Sequence, residues 1–219
     1  IVIYLDHAAT SPVRREVLEA MWPFWTNTFA NPASHHEPGE AAATYLKAAR
    51  KNVAKILNAK THDIVFTSGG TEGANMAVKG IALANPRGRH VIVSAVEHPA
   101  VLESARALQK CGFELTTLAP DADGLIAPAA LRAAIRADTS LVSIQYANNE
   151  VGTIQPIKEL AAIASEFGVP MHTDAVQAAP WLDLDVQELG VQALSIAGHK
   201  LGTPRGSGVV WLARGLDCE

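Results

Sequence analysis

A chain of 219 residues with 48% hydrophobic content can bury the core of one large domain. Its net charge of −4 and its lack of any Lys/Arg block exclude a nucleic-acid footprint. No apolar run approaches the roughly 20 residues that cross a bilayer, and the opening IVIYLDHAAT has no basic n-region and does not read as a signal peptide.

In chain order, the patterns predict helices over residues 12–21 and 39–57, then a strand over 63–67 and a helix over 72–84. A strand over 90–95 leads to a helix over 99–110, and a strand over 113–118 to a helix over 128–137. A strand over 141–147, a helix over 157–167 and a strand over 169–173 follow, with last strands over 193–196 and 208–212. Ser11 reads as an N-cap before Pro12 at the first helical position. Gly112 and Gly168 stand where helices end in a left-handed residue. The strands are short and continuously apolar, as strands buried on both faces of a largely parallel sheet are. Alternation of strands with helices predicts one wound α/β domain over residues 1–219.

Ligands of such sheets collect at the carboxyl ends of the strands. After DIVFT comes SGGTEG, where glycines and Thr71 before a helix make an anion cradle; a plain strand-to-helix turn capped by Thr71 explains it as well. His98 stands just before Pro99 and fits either a helix cap or a proton-transfer group. Asn148 and Asn149 follow the next strand, as turn residues or as hydrogen-bonding ligands. Asp174 ends an apolar strand, so its carboxylate is expected to be buried and to need a cationic or donating partner; an N-cap is the plainer alternative. Gln177 lies three residues on, one helical turn away. The last strand end carries Gly198, His199 and Lys200. A single lysine is ordinarily a surface residue. A phosphate cradle, a flat ring, an amide, a buried carboxylate and a glycine-flanked amine are, together, what pyridoxal 5′-phosphate requires: a phosphate site, a Schiff-base amine and a partner for the pyridine nitrogen.

YLDHAATSP, ANPASHHEPG, FTSGGTEG, VEHPAV, ANNEVGTIQP, HTDAVQA and SIAGHKLGTPRGSG occur in this order. The chain thereby resembles the class V aminotransferase family of fold-type I pyridoxal-phosphate enzymes, and within it the cysteine desulfurases and selenocysteine lyases. The resemblance implies a transferase-like large domain with a mostly parallel central sheet and helices on both faces. It implies pyridoxal 5′-phosphate as cofactor, with Lys200 as the Schiff-base amine and proton carrier and His98 stacked on the ring. Asp174 is implied to pair with the pyridine nitrogen, Gln177 to bond the ring oxygen, Gly70, Thr71 and His199 to hold the phosphate, and Asn149 to lie beside the ring oxygen and the substrate carboxylate. The implied reaction removes sulfur from L-cysteine, leaving alanine and a persulfide for iron–sulfur or thio-cofactor supply. The implied partners are a homodimeric second copy and a sulfur-acceptor protein. Attack by Lys200 needs its neutral amine, which cationic and apolar neighbours would favour.

Three positions depart from the family pattern: Ala197 where a phosphate-binding serine is usual, His7 where Asn or Tyr is common, and Glu40 where Arg or Gln is common. Ser195 stands two places too early to replace that serine. Family members carry a further C-terminal region with a small domain, an acceptor cysteine and a carboxylate-gripping arginine. No residue here matches these, and the chain reads as the large domain alone. Cys111 and Cys218 have neither disulfide nor zinc spacing and fit a reducing cytoplasm. Selenocysteine lyase or another class V enzyme is the nearest alternative. A non-catalytic scaffold, mildly favoured by Ala197, is the next. A nucleotide-binding domain fails for want of G-x-G-x-x-G after the first strand.

Overall fold

The structure, a computed structural model, describes residues 2–219. The strands β1 (Ile64–Thr67), β2 (His90–Ser94), β3 (Glu114–Leu118), β4 (Thr139–Ser143), β5 (Met171–Asp174), β6 (Ala193–Ala197) and β7 (Gly208–Leu212) form one sheet. Its order is β1-β7-β6-β5-β4-β2-β3. The β3–β2–β4–β5–β6 pairings are parallel, whereas β7 is antiparallel to both β6 and β1. The sheet is mostly parallel, as expected, with one reversed strand. The reversal follows from chain length: the link over residues 198–207 is shorter than the dozen or so residues of a parallel crossover.

Alternate strand residues feed two separate cores. Ile92, Val142 and Leu194 pack into one, with Ala54, Leu131, Leu160 and Val186 from α2 (Glu37–Ile56), α6 (Pro128–Ala134), α7 (Ile157–Glu166) and α8 (Val186–Leu189). Val91, Val93 and Leu141 pack into the other, with Ala74, Ile81 and Leu108 from α3 (Gly70–Asn75), α4 (Ile81–Ala84) and α5 (Pro99–Gln109). Helices therefore cover both faces, and every strand side chain in the middle of the sheet is removed from water. No helix among the described residues is long and apolar enough to cross a membrane.

Several element boundaries move. The first helix, α1, is Arg15–Thr26, not 12–21, and Ser11 does not cap it; the N-cap position is Arg14. None of its residues is buried, and Trp22 and Trp25 lie exposed on it. The helix expected over 72–84 starts earlier, at Gly70, and widens into π-type turns over Met76–Gly80. There Cys218 approaches so closely that a Cβ on Gly80 would stand 2.5 Å from its sulfur. The short helix α8 was not foreseen, although its signal is plain: Asp185 accepts N–H bonds from Gln187 and Glu188, and Gly190 ends it at φ 72°.

The strand expected over 141–147 leaves the regular ladder after Ser143. Towards β5 it continues to pair, through Ile144 N–H to His172 O and Tyr146 N–H to Asp174 O. On its other side Gln145 N–H meets the carboxyl of Glu97 instead of a strand.

Candidate active site

The carboxyl ends of β1, β2, β4, β5 and β6 meet along one edge of the sheet: parallel pairing aligns β2, β4, β5 and β6, and two successive antiparallel pairings through β7 give β1 the same direction. A cavity of about 200 Å³ opens there. All eight residues singled out from the sequence line it: Gly70 and Thr71 after β1, His98 after β2, Asn149 after β4, Asp174 and Gln177 at and after β5, and His199 and Lys200 after β6.

Gly70 begins α3, so Thr71 lies inside the first turn and is not its cap. A Cβ on Gly70 would stand 2.8 Å from Val176 Cγ2 and 3.3 Å from Ala197 Cβ, leaving room for no side chain. The start of α3 therefore faces the cavity with bare backbone, and the first N–H groups of a helix have no partner within it. His98 is both cap and wall. Its Nδ1 accepts Ala100 N–H at 3.1 Å, which leaves the proton of the neutral ring on Nε2.

Asp174 is buried, and burial pushes its carboxyl up, opposed by a hydrogen bond from Val176 N–H and by the charges of His98 and Lys200. The Val176 bond, 2.9 Å to Oδ1, closes a turn and caps no helix. No cation pairs with Asp174 among the described ion pairs. Lys200 is half-buried, and burial pushes its amine down against the pull of Asp174 and Asp6. The direction agrees with expectation, and so does apolar burial as its cause; the cations expected beside it are instead carboxylates, which oppose the shift. Burial also lowers His199, helped by Lys200 and Arg205.

The N-terminal segment, unnoticed as a site element, straps the Lys200 turn in place. Ser11 Oγ donates to His199 O at 2.9 Å and accepts Gly202 N–H at 3.0 Å. Thr10 Oγ1 lies 3.1 Å from His199 Nδ1, and Gln177 Nε2 donates to Ala8 O at 2.8 Å.

The chain matches the family model for class V aminotransferases over residues 3–218. It belongs to the class V aminotransferase family. A cysteine desulfurase IscS from Dictyoglomus turgidum is 50% identical over 214 residues, which cover 97% of this chain and 54% of that protein. Another, from Methanosarcina thermophila, is 48% identical over 218 residues, 99% of this chain and 54% of that protein. The chain thus spans about half the length of these curated relatives. A solved structure described as SspA in complex with cysteine matches with a TM-score of 0.93 at 40% identity, covering 96% of this chain and 61% of that one. A NifS-like protein matches at 0.96 and 35% identity, covering 100% and 61%.

Class V aminotransferases depend on pyridoxal 5′-phosphate, and this cavity fits it on chemical grounds. The bare Gly70 backbone suits a phosphate, the uncompensated Asp174 suits a protonated ring nitrogen, and a lysine held towards its neutral form suits an aldehyde. Of the departures from the family pattern, Ala197 lines the cavity and offers no hydroxyl. Ser195 cannot replace one, since it is fully buried in the sheet against His172 Nε2 at 3.2 Å. His7 lines a neighbouring cleft with Gln177 and Lys200. Glu40 is exposed on α2 and does not line the cavity. Asn148 is structural: its Oδ1 accepts Glu150 and Val151 N–H, and its Nδ2 donates to Val96 O. Gln145 and Val176 line the cavity and were missed. A polar residue inside the apolar run LVSIQYA was the available signal for Gln145. Neither cysteine lines the cavity; Cys111 is exposed, and Cys218 donates to Met76 O at 3.4 Å.

Proposed function

We propose that this chain forms the cofactor-binding part of a pyridoxal-phosphate-dependent cysteine desulfurase, which takes sulfur from L-cysteine and leaves alanine. The observation that carries the reading is the convergence of Lys200, Asp174, His98 and the Gly70–Thr71 backbone on one cavity. The desulfurase names of the relatives and the cysteine in a related structure support the substrate.

When bound, the cofactor supplies the electron sink that makes a proton on the substrate's α-carbon removable. Lys200 would hold the aldehyde through its amine and would serve as base at the substrate's α-carbon. Partial burial keeps its amine closer to the neutral form than a surface lysine's. Asp174 would keep the ring nitrogen protonated through a charge-assisted bond, worth on the order of 1.5–3 kcal/mol. His98 would lie against the cofactor ring, Gln177 would bond the ring oxygen, Asn149 would orient the substrate, and Thr71 and His199 would complete the phosphate site.

We place the sulfur-accepting cysteine outside these residues, and the protein in the cytoplasm as a homodimer that passes sulfur to an acceptor protein. Two unpaired thiols support the compartment, and the exposed Trp22, Trp25 and Phe29 support an interface on that face. Borohydride reduction of the full-length protein followed by peptide mapping tests the central assignment. Cofactor label on Lys200 is expected, and label on any other lysine overturns it. Side-by-side assays with cysteine, selenocysteine and cysteine sulfinate test the substrate, and a preference for either of the latter two refutes the desulfurase reading.

A further inference from the structure

Glu97 has no part in the chemistry above, yet it is 5% exposed and sits one residue from His98. Its Oε1 accepts two hydrogen bonds, from Ser94 Oγ at 2.5 Å and from Gln145 N–H at 2.7 Å. Its Oε2 is buried with no partner. The main chain beside it is also tied across: Val96 O accepts Gln145 Nε2 at 2.5 Å and Asn148 Nδ2 at 3.0 Å. Where β2 ends, the Glu97 carboxyl thus takes over as acceptor for the strand that continues past β4. It joins the turn bearing His98 to the segment bearing Gln145 and Asn149, two walls of one cavity.

The same contacts define its charge state. A buried anionic Oε2 without a protein donor is far costlier than a neutral oxygen there. From β5 it faces the charge of Asp174, and two neighbouring carboxylates cannot both ionise cheaply. From the segment after β4 it meets the Gln145 N–H, and from the end of β2 the Ser94 hydroxyl. Burial raises Asp174 as well, but there the Val176 hydrogen bond and the charges of His98 and Lys200 pull against it, whereas no cation is paired with Glu97. Burial accordingly pushes Glu97 up to about 8, against the Ser94 and Gln145 hydrogen bonds.

We infer that Glu97 is a positioning residue: a neutral, proton-holding acid behind the cavity that clamps the His98 turn to the Gln145–Asn149 segment and leaves Asp174 as the anion for the ring nitrogen. The part concerning the ring nitrogen rests on the cofactor reading; the clamp and the proton do not.

Glu97→Gln keeps the acceptor oxygen and the neutral charge, and Glu97→Ala removes both. In the full-length protein, E97Q should hold pyridoxal 5′-phosphate within about twofold of wild type, and E97A should bind it at least about tenfold more weakly, read from the visible absorbance. Urea unfolding gives a second readout. E97Q should match wild type at pH 4, where Glu97 holds its proton folded and unfolded, and exceed it at pH 9, where the unfolded wild type has released a proton that the fold keeps up to about 8. Equal cofactor loss in E97Q and E97A, or E97Q less stable than wild type at both pH values, overturns the assignment. If E97A does not fold, E97Q and the urea crossover decide alone. Wild-type protein that takes up no cofactor refutes the functional reading instead, and the crossover still decides the protonation of Glu97.

Discussion

Gly70 shows how much one missing methyl can decide. Its place in SGGT marks a turn, but only the fold brings Val176 and Ala197 to within 3.3 Å of where a Cβ would lie. Val176 is β-branched and stiff, so it yields poorly. Gly70→Ala should cost about 1–3 kcal/mol by overpacking. It should also weaken pyridoxal 5′-phosphate by about tenfold, because the added methyl displaces the backbone that faces the phosphate. Titrating the cofactor against variant and wild type checks this, and unchanged affinity would contradict the cradle. Lys200, Asp174 and His98 were legible because their types and order are specific. Glu97 was not, because an acid beside a histidine in VEHP reads as an exposed turn until burial is known.

The elements were legible in kind and misjudged at their ends. Continuous apolar runs identify buried strands, but where a strand stops depends on what its edge finds to bond. Residues 144–147 look like more of β4, yet Glu97 replaces the neighbouring strand there. Ser11 before Pro12 has the form of a helix cap, yet its hydroxyl lies across the sheet edge, on His199 O and Gly202 N–H. Sequence proximity favours the local reading, and the actual partners are separated by 188 and 191 residues. Ser11→Ala should lower stability by about 1–2 kcal/mol, since it leaves the Gly202 N–H without its acceptor, while His199 O keeps the Ser11 N–H. It should also loosen the Lys200 turn. Urea midpoints measure the first effect, and a rise in the pyridoxal 5′-phosphate dissociation constant the second. A Ser11→Thr variant, which keeps the hydroxyl, should restore both.

For the whole molecule, buried titratable groups set opposite pH slopes. His172 is buried in the sheet between Ser143 and Ser195, and burial pushes it down to about 3. The unfolded chain protonates it below its ordinary 6.5 while the fold does not, so its contribution is complete above 6.5 and lost as pH falls towards 3. Glu97 behaves in reverse: the fold keeps its proton up to about 8, whereas the unfolded chain releases it above 4.5. Its contribution is complete below 4.5 and lost as pH rises to 8. Between 4.5 and 6.5 folded and unfolded chains bind equal numbers of protons at these two sites, and the slopes cancel. Stability should form a plateau there and fall on both sides by up to about 1.4 kcal/mol per pH unit. Urea unfolding from pH 3 to 9 checks this, and a steady rise with pH across the whole range would rule it out. Burial of His90 adds to the loss as pH falls below 6.5, and burial of Asp174 to the loss as pH rises above 3.8.

Read alone, the sequence determined the α/β class, the alternation of strands and helices, and the eight residues around one cavity. The class and the alternation follow from apolar periodicity, and the eight residues from chemical types at strand ends read together with the ordered motifs of the resemblance, all of which are local in the chain. The tertiary structure decided the reversal of β7, the strap from Ser11 to the Lys200 turn, the closure of the Gly70 backbone by Val176, and the burial of Glu97. Each of these depends on which distant atoms share a small volume, and it is the sheet order, not the order of residues, that brings them together.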